Sequence, residues 1–325
     1  MKRCSGLLQG ILPRRLASWC IARCGSPCFA MLCCVALWCA VPGPASAAAP
    51  VTLQDDTGQP LQLAGPPMRI ISMAPHLTEL LFAAGGGARI VGTVNYSDYP
   101  RQALSIPRIG DSDQIDVERI IALRPDLIVV WQQGGGARQV EQLRRLGIPL
   151  FFSRSRTLDE IAGSLQRLGA LMGTDAVAGL AADRLRVRLA ALTARHASAP
   201  PVRVFYQIWD RPLYTLSGAH IVTDALRICG AVNVFADLKA AAPMVSIEAV
   251  LQADPELVVG TSESSGPAGG VNLWKAYPVL RATRQHNLVT VDGNLINRAG
   301  PRMVDGTAAL CERVDEARRH RLPTR

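Results

Sequence analysis

The sequence lacks the short motifs that mark several common enzyme classes. It contains no Gly-x-Ser-x-Gly nucleophile elbow and no His-Glu-x-x-His zinc motif. Its glycine clusters at 85–87 and 134–136 lack the Gly-Lys-Ser/Thr ending that binds nucleotide phosphates, so we interpret them as turns. Because no pair of a nucleophile and a base is apparent either, we predict no catalytic residue and no enzyme activity. A secreted α/β enzyme is the alternative from a different class of function.

Histidine is scarce and dispersed, which argues against a metal site. A metal receptor needs three or four converging ligands, and the chain has five histidines in total. His76 lies between the predicted strand Arg69–Met73 and the predicted helix Leu80–Ala84, and His220 precedes another predicted helix. For both, a solvent-facing or hydrogen-bonded loop role is the simpler interpretation. We therefore predict no bound metal and no cofactor, and a metal-ion receptor is a competing hypothesis.

Acidic residues are fewer than basic ones, but much of the excess comes from one end of the chain. The net charge is +9, from 35 Lys and Arg against 26 Asp and Glu. Five of the basic residues and none of the acidic ones lie in residues 1–47, so the rest of the chain carries +4 (30 basic against 26 acidic residues). This charge is mild, and it gives no reason to predict nucleic-acid binding.

Residues 1–47 have the pattern of a secretory signal peptide. A basic stretch precedes the apolar run Phe29–Val41, which is too short to span a bilayer comfortably. The small residues Ala45-Ser46-Ala47 then provide a cleavage site, and we expect cleavage after Ala47. The mature protein is therefore expected outside the cytoplasm, and an uncleaved membrane anchor is the alternative.

Cysteine is nearly absent from the rest of the chain. Seven of the nine cysteines fall in residues 1–47, which leaves Cys229 and Cys311. An even pair in an oxidising compartment favours a disulfide. Closing the long loop between them would stabilise the fold by about 4 kcal/mol in the chain-entropy model. Two separate buried thiols are the alternative.

Two stretches of the chain resemble each other at a constant offset, without a gap. Glu118–Val130 and Glu248–Gly260 both open with glutamate, carry a proline at the same place and close with an acid-Leu-aliphatic-Val run. Each pattern predicts a short helix, a break at proline and a buried strand. We interpret them as two lobes built on the same α/β plan, each with an acidic residue at the same place. A chance match of short apolar runs is the alternative.

Strands alternate with helices on both sides of a long helical zone, which is typical of parallel sheets. In that zone Thr157 and Glu160 form a predicted capping box. The segment Asp175–Ala194 would span about 30 Å as a helix, long enough to bridge both lobes as a stiff spine. We divide the mature chain into an N-terminal segment with a hairpin near Asp56 (48–67), an N-terminal α/β lobe (68–156), connecting helices (157–199) and a C-terminal α/β lobe (200–325).

Aromatic residues make up only 5% of the chain, yet several come just past predicted strand ends. In parallel α/β lobes, ligands bind beyond the carboxyl ends of the strands. Aromatic faces at that edge suit a large, flat, partly apolar ligand, and ordinary packing between lobes is the alternative. The residues concerned are Tyr96, Tyr99, Trp131, Trp209 and Tyr214.

A set of short motifs makes a family resemblance specific. The motifs are Arg69–Pro75 with Thr78-Glu79, Tyr96–Pro100, Glu118–Trp131, Gln139–Leu143, Leu146-Gly147-Ile148 and Cys229-Gly230. With this set the chain resembles the periplasmic cobalamin-binding proteins, which belong to the iron-siderophore and cobalamin substrate-binding family of ABC importers. The similarity runs from about residue 68 to residue 320 and is looser in the second lobe.

The resemblance implies the fold and the biological role. It implies two parallel-sheet α/β lobes bridged by a rigid helix, the class III or helical-backbone type of substrate-binding protein, with a corrinoid held between the lobes. The partner would be an inner-membrane ABC permease dimer, the location the periplasm, and the protein a monomer. Glu118 and Glu248 would then be docking residues, one per lobe, that pair with arginines of a two-fold permease; the simpler alternative is that each favours a helix N-terminus.

The resemblance also implies a disulfide and two residues of the ligand site. Cys229 and Cys311 match the cysteine pair of the family, and Tyr96 and Tyr214 would place aromatic rings against the corrinoid. With Pro75, His76, Trp131 and Trp209, these two tyrosines make up the expected ligand-binding residues.

The chain departs from the family in the expected pocket. Positions where family members can carry tryptophan align with Ser112 and Ala242, and Trp209 is a candidate to compensate. His76 replaces a smaller residue and is placed to approach the metal of the ligand or a side-chain amide. A ferric siderophore or haem bound to the same fold is the alternative, and it would call for several basic or tyrosine ligands in the cleft.

Overall fold

The computed structural model describes residues 49–111, 114–132, 134, 137–262 and 269–321. These residues belong to one compact unit, 48–325. The predicted signal peptide lies outside the described residues, as does Ser112. Within the described part of the chain, no helix combines the length and the apolar character needed to cross a membrane.

The N-terminal lobe is a four-stranded, all-parallel sheet preceded by a β-hairpin. The sheet order is β4-β3-β5-β6, and the hairpin pairs β1 with β2 in antiparallel register. Short 3-10 turns lie at Gly87–Arg89 and Arg101–Ser105. The elements are β1 Val51–Gln54, β2 Pro60–Leu63, β3 Ile70–Ser72, α1 Pro75–Ala83, β4 Ile90–Thr93, α2 Val117–Ala122, β5 Leu127–Trp131, α3 Ala137–Arg145 and β6 Leu150–Ser153.

The C-terminal lobe repeats this plan with an added strand. Strands β11, β10, β7 and β9 run parallel in that order, and β8 folds back antiparallel on β7. A 3-10 segment covers Gly270–Ala276. The elements are β7 Val202–Asp210, β8 Leu213–Thr215, α6 Ile221–Ile228, β9 Ala231–Asn233, α7 Ile247–Ala253, β10 Leu257–Thr261, α8 Arg281–Arg284, β11 Leu288–Val291, α9 Gly293–Ile296 and α10 Met303–Arg319.

The internal repeat seen in the sequence is a structural repeat. Strands β6-β5-β3-β4 of one lobe correspond to β11-β10-β7-β9 of the other. Asp116 caps α2 by accepting a hydrogen bond from the Arg119 N–H, and at the equivalent position of the second copy Ser246 caps α7 in the same way. Arg124 and Asp254, which are again equivalent, both have positive φ angles, of 45° and 39°. Two non-glycine residues in this strained region at matching positions make a chance match untenable.

The two connecting helices, α4 (Leu158–Met172) and α5 (Asp175–His196), lie between the lobes. Near the start of α5, the Thr174 hydroxyl donates to the Ala84 carbonyl of the N-terminal lobe at 2.6 Å. At its end, the His196 ring lies 3.2 Å from the Asp315 carboxylate of α10. Helix α5 therefore spans both lobes, as expected of the spine.

The hydrophobic core is shared by both lobes and the spine helices. One cluster of buried side chains includes Ile70 and Val129 of the first sheet, Leu165 of α4, and Val204 and Leu310 of the second lobe. Two smaller clusters fill the opposite faces of the sheets, one in each lobe. Because rotation of one lobe against the other would expose part of the shared cluster to water, the core opposes hinge motion.

The N-terminal hairpin, predicted near Asp56, is fastened to the first lobe and to α4. The Asp56 carboxylate accepts hydrogen bonds from the Ser164 hydroxyl at 2.6 Å, the Ser153 hydroxyl at 2.9 Å and the Arg167 guanidinium at 2.5 Å. Charge-assisted bonds of this kind are stronger than neutral ones. The hairpin is thus an integral part of the fold.

The predicted disulfide is present. Cys229, directly after α6, is bonded to Cys311 of α10, with their Cα atoms 4.7 Å apart. The bond joins two helices of the C-terminal lobe and closes a loop with a sequence separation of 82 residues.

Three local expectations differ from the structure. Helix α1 begins at Pro75, not Leu80, because proline at the first helical position has the required φ and lacks only an N–H that would have no partner there. Strand β7 continues to Asp210 because β8 pairs with it, so Trp209 lies within a strand. At the start of α4, Thr157 accepts from the Glu160 N–H as predicted, but the Glu160 carboxylate accepts from the Arg156 N–H instead of completing the capping box.

An ionic cluster joins the lobes at the edge of the cleft. The side chain of Glu79, on α1, is only 2% exposed and accepts hydrogen bonds from Arg302 at 2.6 and 2.9 Å. Arg298 bonds Asp98 at 2.8 Å and lies 3.7 Å from Glu79. The Arg302 guanidinium also stacks 4.0 Å from the ring centroid of Tyr99. Although partial burial opposes ionisation of Asp98, the hydrogen bond and charge of Arg298 lower the pKa of its carboxyl. We call these five residues the inter-lobe clamp.

Substitution Arg302→Met is expected to destabilise the protein strongly, because it leaves the buried Glu79 carboxylate without its bidentate partner. Loss of one member of a buried ion pair costs about 3–5 kcal/mol. Urea unfolding followed by circular dichroism measures the change. Arg313→Met is the matched control, since its ion pair with Glu316 is exposed on α10 and should contribute less than about 1 kcal/mol. Equal losses in the two variants would contradict the role given to the clamp.

Candidate functional site

A cavity of 360 Å³ lies between the two lobes. The N-terminal lobe contributes Trp131, the last residue of β5, and the C-terminal lobe contributes the other lining residues. Its position at the carboxyl end of β5 agrees with the general placement of ligands in parallel α/β sheets. The lining residues are Trp131, Ile208, Leu216, His220, Ala241, Ala242 and Asn297.

The cavity wall is mostly apolar. Ile208 and Leu216 come from β7 and the segment after β8, and Ala241 and Ala242 from the loop after β9. Ala242, which aligns with a position where family members can carry tryptophan, lines the cavity. The small side chains there leave space that a bulky aromatic would fill.

His76 packs against the ring of Trp131. The two ring centroids are 5.1 Å apart, with an interplanar angle of 87°. Burial, with a smaller contribution from the nearby charge of Arg298, lowers the pKa of His76 to about 3. The imidazole is therefore neutral near pH 7. Gly300 brings the C-terminal lobe against this contact, since a Cβ placed there would be 3.5 Å from His76. His76 thus contacts both Trp131 and the C-terminal lobe.

Tyr96 stands on the N-terminal lobe in a strained, exposed position. Its φ angle is 63°, and 77% of the residue is exposed to solvent. A chain of buried hydroxyls fixes the turn that carries it: Thr93 bonds Thr78 at 2.7 Å and Ser97 at 2.8 Å. A tyrosine in the left-handed region costs free energy that the surrounding structure must supply, and such residues concentrate at binding sites.

Trp209 and Tyr214 are neighbours on the β7–β8 hairpin. Trp209 is 40% exposed, and its indole N–H donates to the Arg211 carbonyl at 2.9 Å. Neither residue is among those that line the cavity in the described part of the chain. Of the six predicted ligand-binding residues, Trp131 lines the cavity, His76 contacts Trp131, and Pro75 precedes His76 as the first residue of α1.

Glu118 and Glu248 occupy matching positions in the first turns of α2 and α7, and both are exposed. The backbone N–H of Glu248 and the Ser246 hydroxyl hydrogen-bond its carboxylate and lower its pKa. A helix between two parallel strands begins at the carboxyl edge of the sheet, the edge that faces the cleft. Each lobe therefore presents one exposed glutamate at the equivalent corner.

Among the described residues, no group of three or more His, Cys, Asp and Glu side chains could hold a metal ion. His196 and His320 instead bond to protein groups, His196 to the Leu192 carbonyl and Asp315, and His320 to Asn287.

Sequence reasoning missed most of the C-terminal lining and the clamp. Ile208, Leu216 and Asn297 belong to no motif, and nothing in the local pattern marks them as cavity residues. For His220 the sequence favoured a solvent-facing or hydrogen-bonded loop role, whereas its side chain lines the cavity. The clamp residues Glu79, Asp98 and Tyr99 do lie in two of the family motifs, yet their arginine partners are 200 or more residues away.

Comparison with known proteins gives a consistent result. Residues 70–295 match the sequence model of the family described as periplasmic binding protein. A vitamin B12-binding protein of Vibrio cholerae is 38% identical over 247 residues, covering 76% of this chain and 88% of the relative. A vitamin B12-binding protein of Photorhabdus laumondii is 36% identical over 250 residues, covering 77% and 89%.

Solved structures agree with the sequence relatives. The crystal structure of the periplasmic vitamin B12-binding protein of Vibrio cholerae superposes with a TM-score of 0.72 at 36% identity, covering 78% of this chain and 98% of that one. A periplasmic haem-binding protein from Pseudomonas aeruginosa superposes with a TM-score of 0.65 at 29% identity, covering 75% and 91%. The two-lobed α/β architecture, the helical bridge and these matches lead to one conclusion: the chain belongs to the periplasmic binding protein family, a family of substrate-binding proteins and not of enzymes.

Proposed function

We propose that the protein captures cobalamin or a related corrinoid in the periplasm and delivers it to an ABC permease of the inner membrane. The observation that carries the proposal is the inter-lobe cavity, where Trp131 of one lobe faces an apolar wall of the other. This arrangement occurs in a chain that is 38% identical to a vitamin B12-binding protein over 76% of its length. An aromatic face opposite aliphatic side chains suits a large, flat macrocycle.

The chemistry of the cavity favours a corrinoid over haem. The propionates of haem and the charged groups of ferric siderophores require cationic or phenolic partners, whereas the corrinoid periphery carries neutral carboxamides. No Arg, Lys or Tyr is among the residues that line the cavity in the described structure. The two arginines of the clamp, Arg298 and Arg302, are already bonded to Asp98 and Glu79.

The lobes are expected to move little on binding. The shared core and the spine helices resist hinge motion, and the clamp adds charged bonds between the lobes. A preformed cavity avoids much of the cost of ordering side chains and loops on association. Release of the ligand would then require force from the permease, which must separate or distort the lobes.

Glu118 and Glu248 are the proposed docking residues. They are exposed and placed equivalently on two lobes of the same plan. A permease with two-fold symmetry presents two equivalent surfaces, so one acid per lobe provides matched contacts to basic residues on each half. Complementary charge of this kind chiefly raises the association rate and fixes orientation. In this role the protein is expected to act as a monomer.

The predicted signal peptide supports the periplasmic location. An oxidising compartment also agrees with the Cys229–Cys311 disulfide, since such bonds persist mainly outside the cytoplasm.

Calorimetry with cyanocobalamin is expected to show one-to-one binding by the mature protein. The Trp131→Ala variant should bind about 10- to 100-fold more weakly, because burial of a large apolar side chain contributes about 1.5–3 kcal/mol. Tyr277→Ala is the control, since this half-buried aromatic packs on Trp274, away from the cavity. Absence of binding by the wild-type protein, together with tight binding of haemin, would replace the corrinoid with haem.

The double variant Glu118→Gln/Glu248→Gln should abolish uptake while leaving cyanocobalamin affinity unchanged, because glutamine keeps the shape of the side chain and removes its charge. Uptake of labelled cobalamin is measured in cells that lack their own copy of the protein, and affinity by calorimetry. Glu141→Gln/Glu312→Gln removes the same charge from exposed sites elsewhere and should transport normally. Weaker ligand binding in the first variant would contradict a docking role.

A further inference from the structure

His220 occupies the junction between the cavity and the first turn of α6. It is the N-cap of that helix, with its Nδ1 atom accepting a hydrogen bond from the Val222 backbone N–H at 3.2 Å. The turn before it is held by the Ser217 carbonyl, which accepts from the His220 N–H at 3.2 Å. The imidazole also lines the inter-lobe cavity. The Nδ1 atom of the ring therefore caps the helix, and the same ring forms part of the cavity wall.

The helix contact fixes which ring nitrogen carries the proton. A backbone N–H can only donate, so Nδ1 must present its lone pair to Val222. Burial lowers the pKa of His220 to about 4, so the ring is neutral near pH 7. In a neutral imidazole with an accepting Nδ1, the hydrogen lies on Nε2. Among the described residues, the contact with Val222 is the one hydrogen bond that the His220 ring makes, and the ring lines the cavity.

Asn297 adds a second neutral donor on the same wall. Its Oδ1 atom accepts the hydroxyl hydrogen of Tyr206 at 2.8 Å, which leaves the amide N–H₂ group available. The other C-terminal lining side chains, those of Ile208, Leu216, Ala241 and Ala242, carry no polar atoms. The polar side-chain chemistry of this wall is therefore that of neutral N–H donors.

We propose that His220 determines ligand specificity by donating its Nε2–H to a neutral carbonyl oxygen, a carboxamide at the edge of the bound macrocycle. The proposal rests on the corrinoid function proposed above and identifies which groups of that ligand the C-terminal lobe recognises. A carboxylate at the same place would be desolvated opposite a neutral donor, without a compensating charge, and would be rejected.

The same geometry excludes His220 as an axial ligand of the bound metal. Coordination through Nε2 needs a lone pair on that atom, and here the atom carries the hydrogen. Freeing the lone pair would require the proton to move to Nδ1, where it would face the Val222 N–H and break the helix cap. His220 is thus a hydrogen-bonding residue and not a metal ligand.

Two substitutions separate the cavity role from the helix role. His220→Asn places an oxygen where Nδ1 lies, so the cap is kept, but it has no group that reaches the Nε2 position. His220→Gln places an amide N–H₂ near the Nε2 position but cannot accept from Val222 in the same way. We expect His220→Asn to keep its Tm and to bind cyanocobalamin at least about 10-fold more weakly, which is about 1.4 kcal/mol. We expect His220→Gln to retain most of the affinity and to unfold at a lower Tm.

A ligand pair tests the chemistry directly. Cyanocobalamin is compared with its monocarboxylic acids, in which one peripheral carboxamide is hydrolysed to a carboxylate. The wild-type protein should reject at least one of these acids, and His220→Asn should discriminate less. The visible spectrum of aquocobalamin should be the same free and bound, because the His220 imidazole does not coordinate the cobalt.

Each contrary result has a distinct meaning. If the wild-type protein binds cyanocobalamin and His220→Asn binds it equally well, the role of His220 is wrong while the corrinoid function stands. A spectral shift of aquocobalamin that His220→Asn abolishes would show coordination and overturn the donor assignment. If the wild-type protein does not bind cyanocobalamin, the corrinoid function fails, and the role of His220 fails with it.

Discussion

The hydrophobic cluster that runs through both sheets and the spine helices is the constraint on which the cavity depends. It packs strand residues such as Val129 and Val204 into one continuous core with Leu165 of α4. Interiors of this density resist deformation, so the position of Trp131 relative to the opposite wall is set by the core. The inter-lobe clamp acts at the edge of the same cleft and fixes α1 against the start of α10 through Glu79 and Arg302. The packing of the shared core therefore determines where the cavity lies between the two lobes.

Charge is placed outside the cavity and neutral groups inside it. Asp98, Glu79 and the two arginines neutralise one another at the cleft edge. Burial keeps His76 and His220 uncharged, so their rings act as a packing surface and a hydrogen-bonding group. The remaining acidic residues of interest, Glu118 and Glu248, are exposed, with one on each lobe. This division suits a protein that holds a neutral, flat ligand and approaches a membrane partner through complementary charge.

The sequence predicts secondary structure correctly where neighbouring residues determine it, and less well where contacts with distant segments determine it. Thr157 was predicted to cap α4 and does so, since the cap involves only nearby backbone. The predicted start of α1 was too late, because the apolar run from Leu80 to Ala84 marks only the second half of the helix. The sequence does not show that Leu77 is buried in the same core cluster as Leu80. Trp209 was placed past a strand end, whereas pairing with β8 extends β7 through it.

The sequence by itself determined the two-lobe plan, the helical bridge and the cysteine pair. The repeat at constant offset indicates the two lobes, the helical periodicity indicates the bridge, and the count of cysteines outside residues 1–47 leaves one pair. It also indicated Trp131, which ends a buried strand, as a residue at the ligand edge. Only the tertiary structure decided which residues of the second lobe face Trp131, that Glu79 is buried against Arg302, and that the free edge of His220 reaches the cavity. The physical reason is that these relations join segments far apart in the chain, and their partners meet only when the shared core brings the two sheets together.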